Sequence, residues 1–170
     1  MTVDEVTLVF AILAVVAEVT VAAAVLLWVA SRVTPAGGRA LAAARSFLGP
    51  DGLALALVVA VVATSGSLYL SEVAHFVPCR LCWYQRIAMY PMSVILGIAA
   101  FRHDVRVRIY ALPVVLIGAT ISIWHLLIER FPSLESSTSC DPANPCSLIW
   151  TERFGYLTIP TMALSAFALL

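Results

Sequence analysis

Residues 52–70 read GLALALVVAVVATSGSLYL, nineteen consecutive positions without a charge. A helix built from them would have no polar face, so this is not the one-sided stripe of a helix lying on a water-soluble core. At 1.5 Å per residue the run is about 28 Å long, close to the depth of a bilayer's hydrocarbon. In that medium backbone groups bond only to one another, so the segment is predicted to be a helix and not a strand.

Working outward, four further apolar segments lie at 6–30, 81–101, 109–128 and 156–170. The first is broken only by Glu18. The segment at 81–101 carries Gln85 and Arg86 in its first turns. The last, at fifteen residues, is expected to be tilted, shallow or cut off. Of 170 residues 62% are apolar and 12% charged, too little polar surface to enclose a soluble core. The expected fold class is therefore an all-α integral membrane protein whose main partner is the lipid bilayer, with no room for a separate soluble domain. The formal net charge is zero and there is no basic run, which argues against a nucleic-acid partner. Asp4 and Glu5 stand where a secretory signal peptide would be basic, so 6–30 is expected to be a spanning helix with its amino end outside.

All ten basic residues are arginines, and their distribution sets the orientation. Arg32, Arg39 and Arg45 fall in 31–51, and Arg102, Arg106 and Arg108 fall in 102–108. By the positive-inside rule these two connections face the cytoplasm. The connections at 71–80 and 129–155 hold more acidic than basic residues and are expected outside, which leaves the carboxyl end inside. Two crossings separate these outer connections, so they must share a side. One carries Cys79 and Cys82 at the mouth of the third span; the other carries Cys140 and Cys146. Both pairs are thus expected on the side where disulfides persist. Pro132, Pro142 and Pro145 forbid a long helix in the second connection, which reads as irregular.

Cys79 and Cys82 have the two-residue spacing of a redox dithiol, within one helical turn. At a helix amino terminus, unpaired N–H groups and the positive end of the dipole favour thiolate. Arg86 lies one turn beyond Cys82, placed to favour a Cys82 thiolate or to hold an acceptor's oxygen. Cys140 and Cys146 have five residues between them, and a disulfide closing that loop would be open to an attacking thiolate. Two structural disulfides, a four-cysteine zinc site and inert thiols are the competing readings. Zinc would require both pairs reduced on the oxidising side, and no metal is expected.

The stretch Cys79-Arg80-Leu81-Cys82-Trp83-Tyr84-Gln85-Arg86-Ile87-Ala88-Met89-Tyr90-Pro91 closely resembles the signature of the bacterial disulfide-bond formation protein B family. The likeness covers about residues 50–170, and the close spacing of the second pair is similar to that of Bacillus-type members. It implies a four-helix transmembrane bundle at 51–170, to which 1–50 adds one amino-terminal transmembrane helix and a basic inner loop. It implies a quinone-dependent thiol oxidase in the bacterial cytoplasmic membrane. Cys140 would form the mixed disulfide with an extracytoplasmic, thioredoxin-fold DsbA-like partner, and Cys146 would complete the loop disulfide. Cys79 and Cys82 would re-oxidise that loop. Cys82 would be the quinone-proximal thiolate, and Arg86 and His125 would bind the quinone, a menaquinone or ubiquinone from the membrane pool. The vitamin K epoxide reductase family shares this chemistry but has its two pairs in the opposite order. A non-catalytic scaffold or transporter subunit held by two disulfides is the rival from another class.

Glu18, mid-span, is read as a proton or partner contact or as an acid facing another helix. His75 is a possible proton carrier or an interfacial residue, and His103 a solvated one. Trp83 and Tyr84 read as interfacial aromatics, and Pro91 and Pro113 as kinks. The topology is open to a direct check. In a chain freed of its four cysteines, Glu152→Cys should react with a membrane-impermeant maleimide on intact cells. Arg106→Cys should react only after permeabilisation.

Overall fold

The computed structural model describes residues 2–49, 51–137 and 140–170. Within them lie six α-helices: α1 (Val3–Val33), α2 (Pro35–Leu48), α3 (Gly52–Glu72), α4 (Arg80–Arg102), α5 (Arg108–Arg130) and α6 (Ile159–Leu169). Two short 3-10 helices flank α5, and no strand occurs among the described residues. Among the described residues three stretches are long and apolar enough to cross a membrane: α1, α3, and Val105–Arg130, which contains α5. α4 has a crossing's length, 23 residues, but carries Arg86 within it and arginines at both ends. α6 has 11 residues.

One expectation is corrected here. Residues 31–51 read as a basic inner loop, yet most of them form α2. Thr34 both ends α1 and starts α2. Its N–H donates to the Ala30 carbonyl, and its Oγ1 accepts from the Gly37 N–H at 3.0 Å. Pro35 fits the first helical turn, where its missing N–H is no loss. Gly37 is required for close approach, since a Cβ there would lie 2.4 Å from the Ala30 backbone. Pro35, Gly37 and Gly38 therefore mark a tight helical corner. Along α2, Phe47 and Leu48 are exposed beside Arg39 and Arg45, a mixture that suits the headgroup layer.

α3 packs on α4, α4 on α5, α5 on α6, and α6 also on α1. Met89, Met92 and Leu96 of α4 form the middle of the core, with Ala111 and Val115 of α5 and Phe167 of α6. α3 and α4 are also tied by hydroxyls. Thr64 Oγ1 and Ser93 Oγ lie 2.9 Å apart, and Ser93 donates to the Ala60 carbonyl at 3.1 Å. Lipid offers no competing partners for such groups, so they find one another across the helices.

α1 and α6 run in the same direction, as their contacts show in order. Near the start of α1, Arg153 pairs with Asp4 and donates to Thr7 Oγ1. Farther along, Ala11 and Ala14 cluster with Leu157 and Met162. Beyond them Glu18 accepts from the Tyr156 hydroxyl at 2.7 Å and the Ser165 hydroxyl at 3.0 Å. The buried residues of α1 are all small: Thr7, Ala11, Ala14 and Ala17. Small side chains let two helix backbones approach closely where no hydrophobic force draws them together.

In the core Phe167 lies directly over Gly118, where an added Cβ would sit 2.3 Å from the ring. Gly118→Val is expected to destabilise the bundle by about 1–3 kcal/mol, the cost of an overpacked core. Thermal unfolding in detergent should show the loss, and Phe167→Leu in the same chain should recover part of it.

Candidate functional site

The cysteine pairs meet at one end of the bundle. Cys79 is the N-cap of α4, with extended backbone, and its sulfur accepts from the Cys82 N–H at 3.3 Å. The two sulfurs of this pair are free and 3.0 Å apart. Cys140 and Cys146 are joined as a disulfide. Cys79, Leu81, Ile128 and Cys146 form one buried cluster, against which Cys82 and Cys140 also pack. Two hairpins thus bring their sulfurs into a single patch.

His125, on the last turns of α5, joins the pairs. Its Nε2 lies 3.7 Å from the Cys79 sulfur and 3.0 Å from the Cys146 carbonyl, and its Nδ1 faces the Gln85 amide at 3.4 Å. One turn along, Glu129 is buried and accepts from Thr158 Oγ1 at 2.6 Å. The cysteine loop is held by groups other than sulfur. Glu135 accepts from the Cys146 N–H, the Ser147 N–H and the Ser147 hydroxyl. Asn144 donates to the Pro78 carbonyl at 3.1 Å, beside Cys79.

Cys79 lies outside the spans, at the open end of a helix. Hydrogen bonding to the Cys82 thiol, and after it to His125, holds its thiol down at about 4 against the opposing effect of burial. The cap position and the thiolate therefore belong to Cys79, where the sequence reading expected the thiolate at Cys82, and Arg86 turns toward α3 instead. Its Nε donates to Ser67 Oγ at 3.1 Å and its Nη2 to the Ser67 carbonyl at 3.0 Å. Its guanidinium lies 5.3 Å from the Trp83 ring centre and 5.9 Å from that of Tyr90.

Beneath this patch lies a largely apolar cavity of about 310 Å³ between α1, α3, α4 and α6. Its polar lining includes Ser67, Cys82, Gln85, Arg86 and Tyr90. Cys79 and His125 are not in that lining; Gln85 stands between His125 and the space. Phe76 and Trp150, stacked with ring centres 5.1 Å apart, belong to the lining too. Trp83 and Tyr84 are exposed on the outer face of α4, and His75 and His103 are exposed turn residues.

Among the described residues two side-chain groups have metal-like spacing, Cys79–Cys82–His125 and Glu135–Cys140–Cys146. The second has its sulfurs locked in a disulfide. In the first, the His125 nitrogen that faces sulfur also faces the Cys146 carbonyl. Neither fits the four-cysteine zinc reading.

A profile of the family described as Disulfide bond formation protein DsbB matches residues 51–170. The chain belongs to the DsbB family. Disulfide bond formation protein C of Bacillus subtilis (strain 168) is 51% identical over 113 residues, covering 66% of this chain and 82% of that protein. Probable disulfide formation protein C 1 of Bacillus anthracis is 44% identical over 106 residues, covering 62% and 76%. Probable disulfide formation protein of Coxiella burnetii (strain CbuK_Q154) is 44% identical over 115 residues, covering 67% and 78%. No solved structure matches the chain. With its long apolar helices, this DsbB-family chain is a multi-pass membrane protein, and α1 and α2 precede the part that matches the family.

Gln85, Ser67, Glu129, Glu135 and Asn144 were not singled out as site residues from the sequence. The local signals were the four-residue step from His125 to Glu129 and, for Gln85, its place one turn after Cys82 within the quoted signature. The others are assembled by packing between distant segments.

The Cys79 environment sets a pH dependence. Its proton is lost as pH rises through about 4, so thiolate is present at every higher pH. Ultraviolet absorbance of the reduced protein should show that thiolate already at mildly acidic pH. His125→Ala removes a contact that favours the anion and should move the titration to higher pH.

Proposed function

We propose that this protein oxidises an extracytoplasmic dithiol protein and passes the electrons through its two cysteine pairs to a membrane quinone, so driving disulfide bond formation. The observation that carries the reading is Cys82. It is one of two free sulfurs packed against the second pair, and it also lines an apolar cavity beside Arg86. The names of the relatives, all disulfide formation proteins, support the outer half of the path. The four-helix core at 51–170 with α1 as an additional crossing, the bacterial cytoplasmic membrane, and cysteines on its outer face complete the proposal.

The path balances in atoms and electrons. A reduced partner of thioredoxin fold attacks Cys140, and a mixed disulfide forms as the Cys140–Cys146 bond breaks. The partner's second thiol displaces Cys140, leaving the loop pair reduced and the partner oxidised. The loop dithiol then reduces the Cys79–Cys82 disulfide and is itself re-oxidised. An oxidised loop pair beside a free inner pair, the connectivity seen here, is the stage at which two electrons await the acceptor. A bound quinone supplies a two-electron, two-proton acceptor. The Cys79 thiolate, 3.0 Å from the Cys82 sulfur, closes the inner disulfide as the electron pair leaves from Cys82. With a quinone bound, Cys82 would give up one proton and solvent a second, the two that a quinol requires. Arg86, steadied by Ser67, offers positive charge to the acceptor's oxygen. His125 steadies Cys79 and keeps the Cys146 carbonyl alongside it.

The residues present suit a quinone. The cavity volume falls in the range of small-molecule sites, and its few polar groups lie beside Cys82. Purified protein, a quinone and a reduced thioredoxin-fold dithiol protein should show loss of quinone absorbance. Cys82→Ser should abolish it, and continued quinone reduction by that variant would overturn the scheme. Arg86→Gln should keep exchange with the partner but raise the quinone KM roughly 10- to 100-fold, the loss of one charge-assisted hydrogen bond.

A further inference from the structure

Helix α1 has no part in the path above, and it precedes the residues that match the family. Yet Phe10, Leu13, Ala14 and Ala17 line the same cavity as Cys82 and Arg86. These positions recur every three or four residues, so they form one face of α1. The cavity lies where α3 faces α6, and α1 bridges that gap. On one side it is fixed to α6 and the segment before it through Arg153 on Asp4, Ala11 and Ala14 on Leu157, and Glu18 on Tyr156 and Ser165. On the other side the Phe10 ring sits against Gly66 of α3, where an added Cβ would lie 2.8 Å from it.

A second cavity follows the same helix. It is lined by Thr20, Val21, Ala24, Val25 and Trp28 of α1 with Ala168 and Leu169 of α6. Leu169 lines both spaces, so they adjoin. The first space holds the polar groups suited to a ring bearing two oxygens. The second is lined mainly by apolar side chains and runs along the α1–α6 seam.

We infer that α1 is the lateral wall of the acceptor site: its Phe10–Ala17 face encloses the quinone ring, and its Thr20–Trp28 face guides the polyprenyl tail along α6. This inference rests on the quinone reading of the site. Glu18 stands at the junction of the two faces and acts as a positioning residue, fixing α1 against Tyr156 and Ser165. A carboxylate in a span is costly without partners, and here two hydroxyls meet it.

The experiment uses the full chain in nanodiscs with a reduced thioredoxin-fold dithiol protein. A photoreactive azidoquinone bearing a prenyl tail is expected to label α1 peptides within 10–28 as well as α4. Ala17→Trp, which fills the first space, should raise the KM roughly tenfold for both a tail-less and a tailed quinone. Ala24→Trp lies on an exposed part of the second space and does not threaten folding. It should raise the KM for the tailed quinone alone. Labelling confined to α3, α4 and α6, with the Ala24→Trp KM unchanged for both quinones, would overturn the role of α1 while leaving the quinone reading intact. Absence of quinone reduction by the unaltered chain would instead overturn the reading on which this inference rests.

Discussion

The sulfur of Cys79 is the point toward which the polar groups at this end of the bundle converge. It receives the Cys82 N–H at the open turn of α4, faces the Cys82 thiol, and meets His125 from α5. A buried anion is costly in a low-dielectric setting unless donors surround it. Here the donors come from two helices, and one of them also touches the loop that carries the second pair. That shared histidine ties the charge on one dithiol to the position of the other. Moving α5 relative to α4 would disturb both at once.

The same constraint explains the polar residues within the spans. Arg86, Ser67 and Tyr90 satisfy one another between α3 and α4, and Thr64 and Ser93 do so farther along. Glu18 and Ser165 do so between α1 and α6, joined by Tyr156 from the segment before α6. Lipid cannot solvate such groups, so each set fixes the register of the helices that bear it. Ser67, Arg86 and Tyr90 belong both to one such set and to the lining of the cavity.

Much of this architecture was legible in the sequence because lipid imposes a simple rule on each segment taken alone. The apolar runs at 52–70, 81–101 and 109–128 fall inside α3, α4 and α5. The parity of crossings was enough to anticipate both cysteine pairs at one end. α2 was missed because Pro35, Gly37 and Gly38 signal a loop locally, while their helical role depends on contact with the end of α1. The site was legible where chemistry is written in one residue type, as for the cysteines, or in a helical step, as for Arg86. Glu135 looks like any carboxylate in a polar loop, and Ser67 like any hydroxyl in a span. Only the fold sets them beside Cys146 and Arg86. The small-residue face Thr7, Ala11, Ala14 and Ala17 was present in the sequence, but alanines in a spanning helix carry no sign of what they will touch.

The cysteine loop is fastened at its Cys146 end. Glu135 grips the backbone at Cys146 and Ser147, and Asn144 grips Pro78, through groups other than the sulfurs. Of the two joined sulfurs, that of Cys146 sits on backbone held by Glu135 and His125. Under the proposed path this would make the loop a latch with one pinned end: an incoming protein would take Cys140, and Cys146 would keep the place to which it returns.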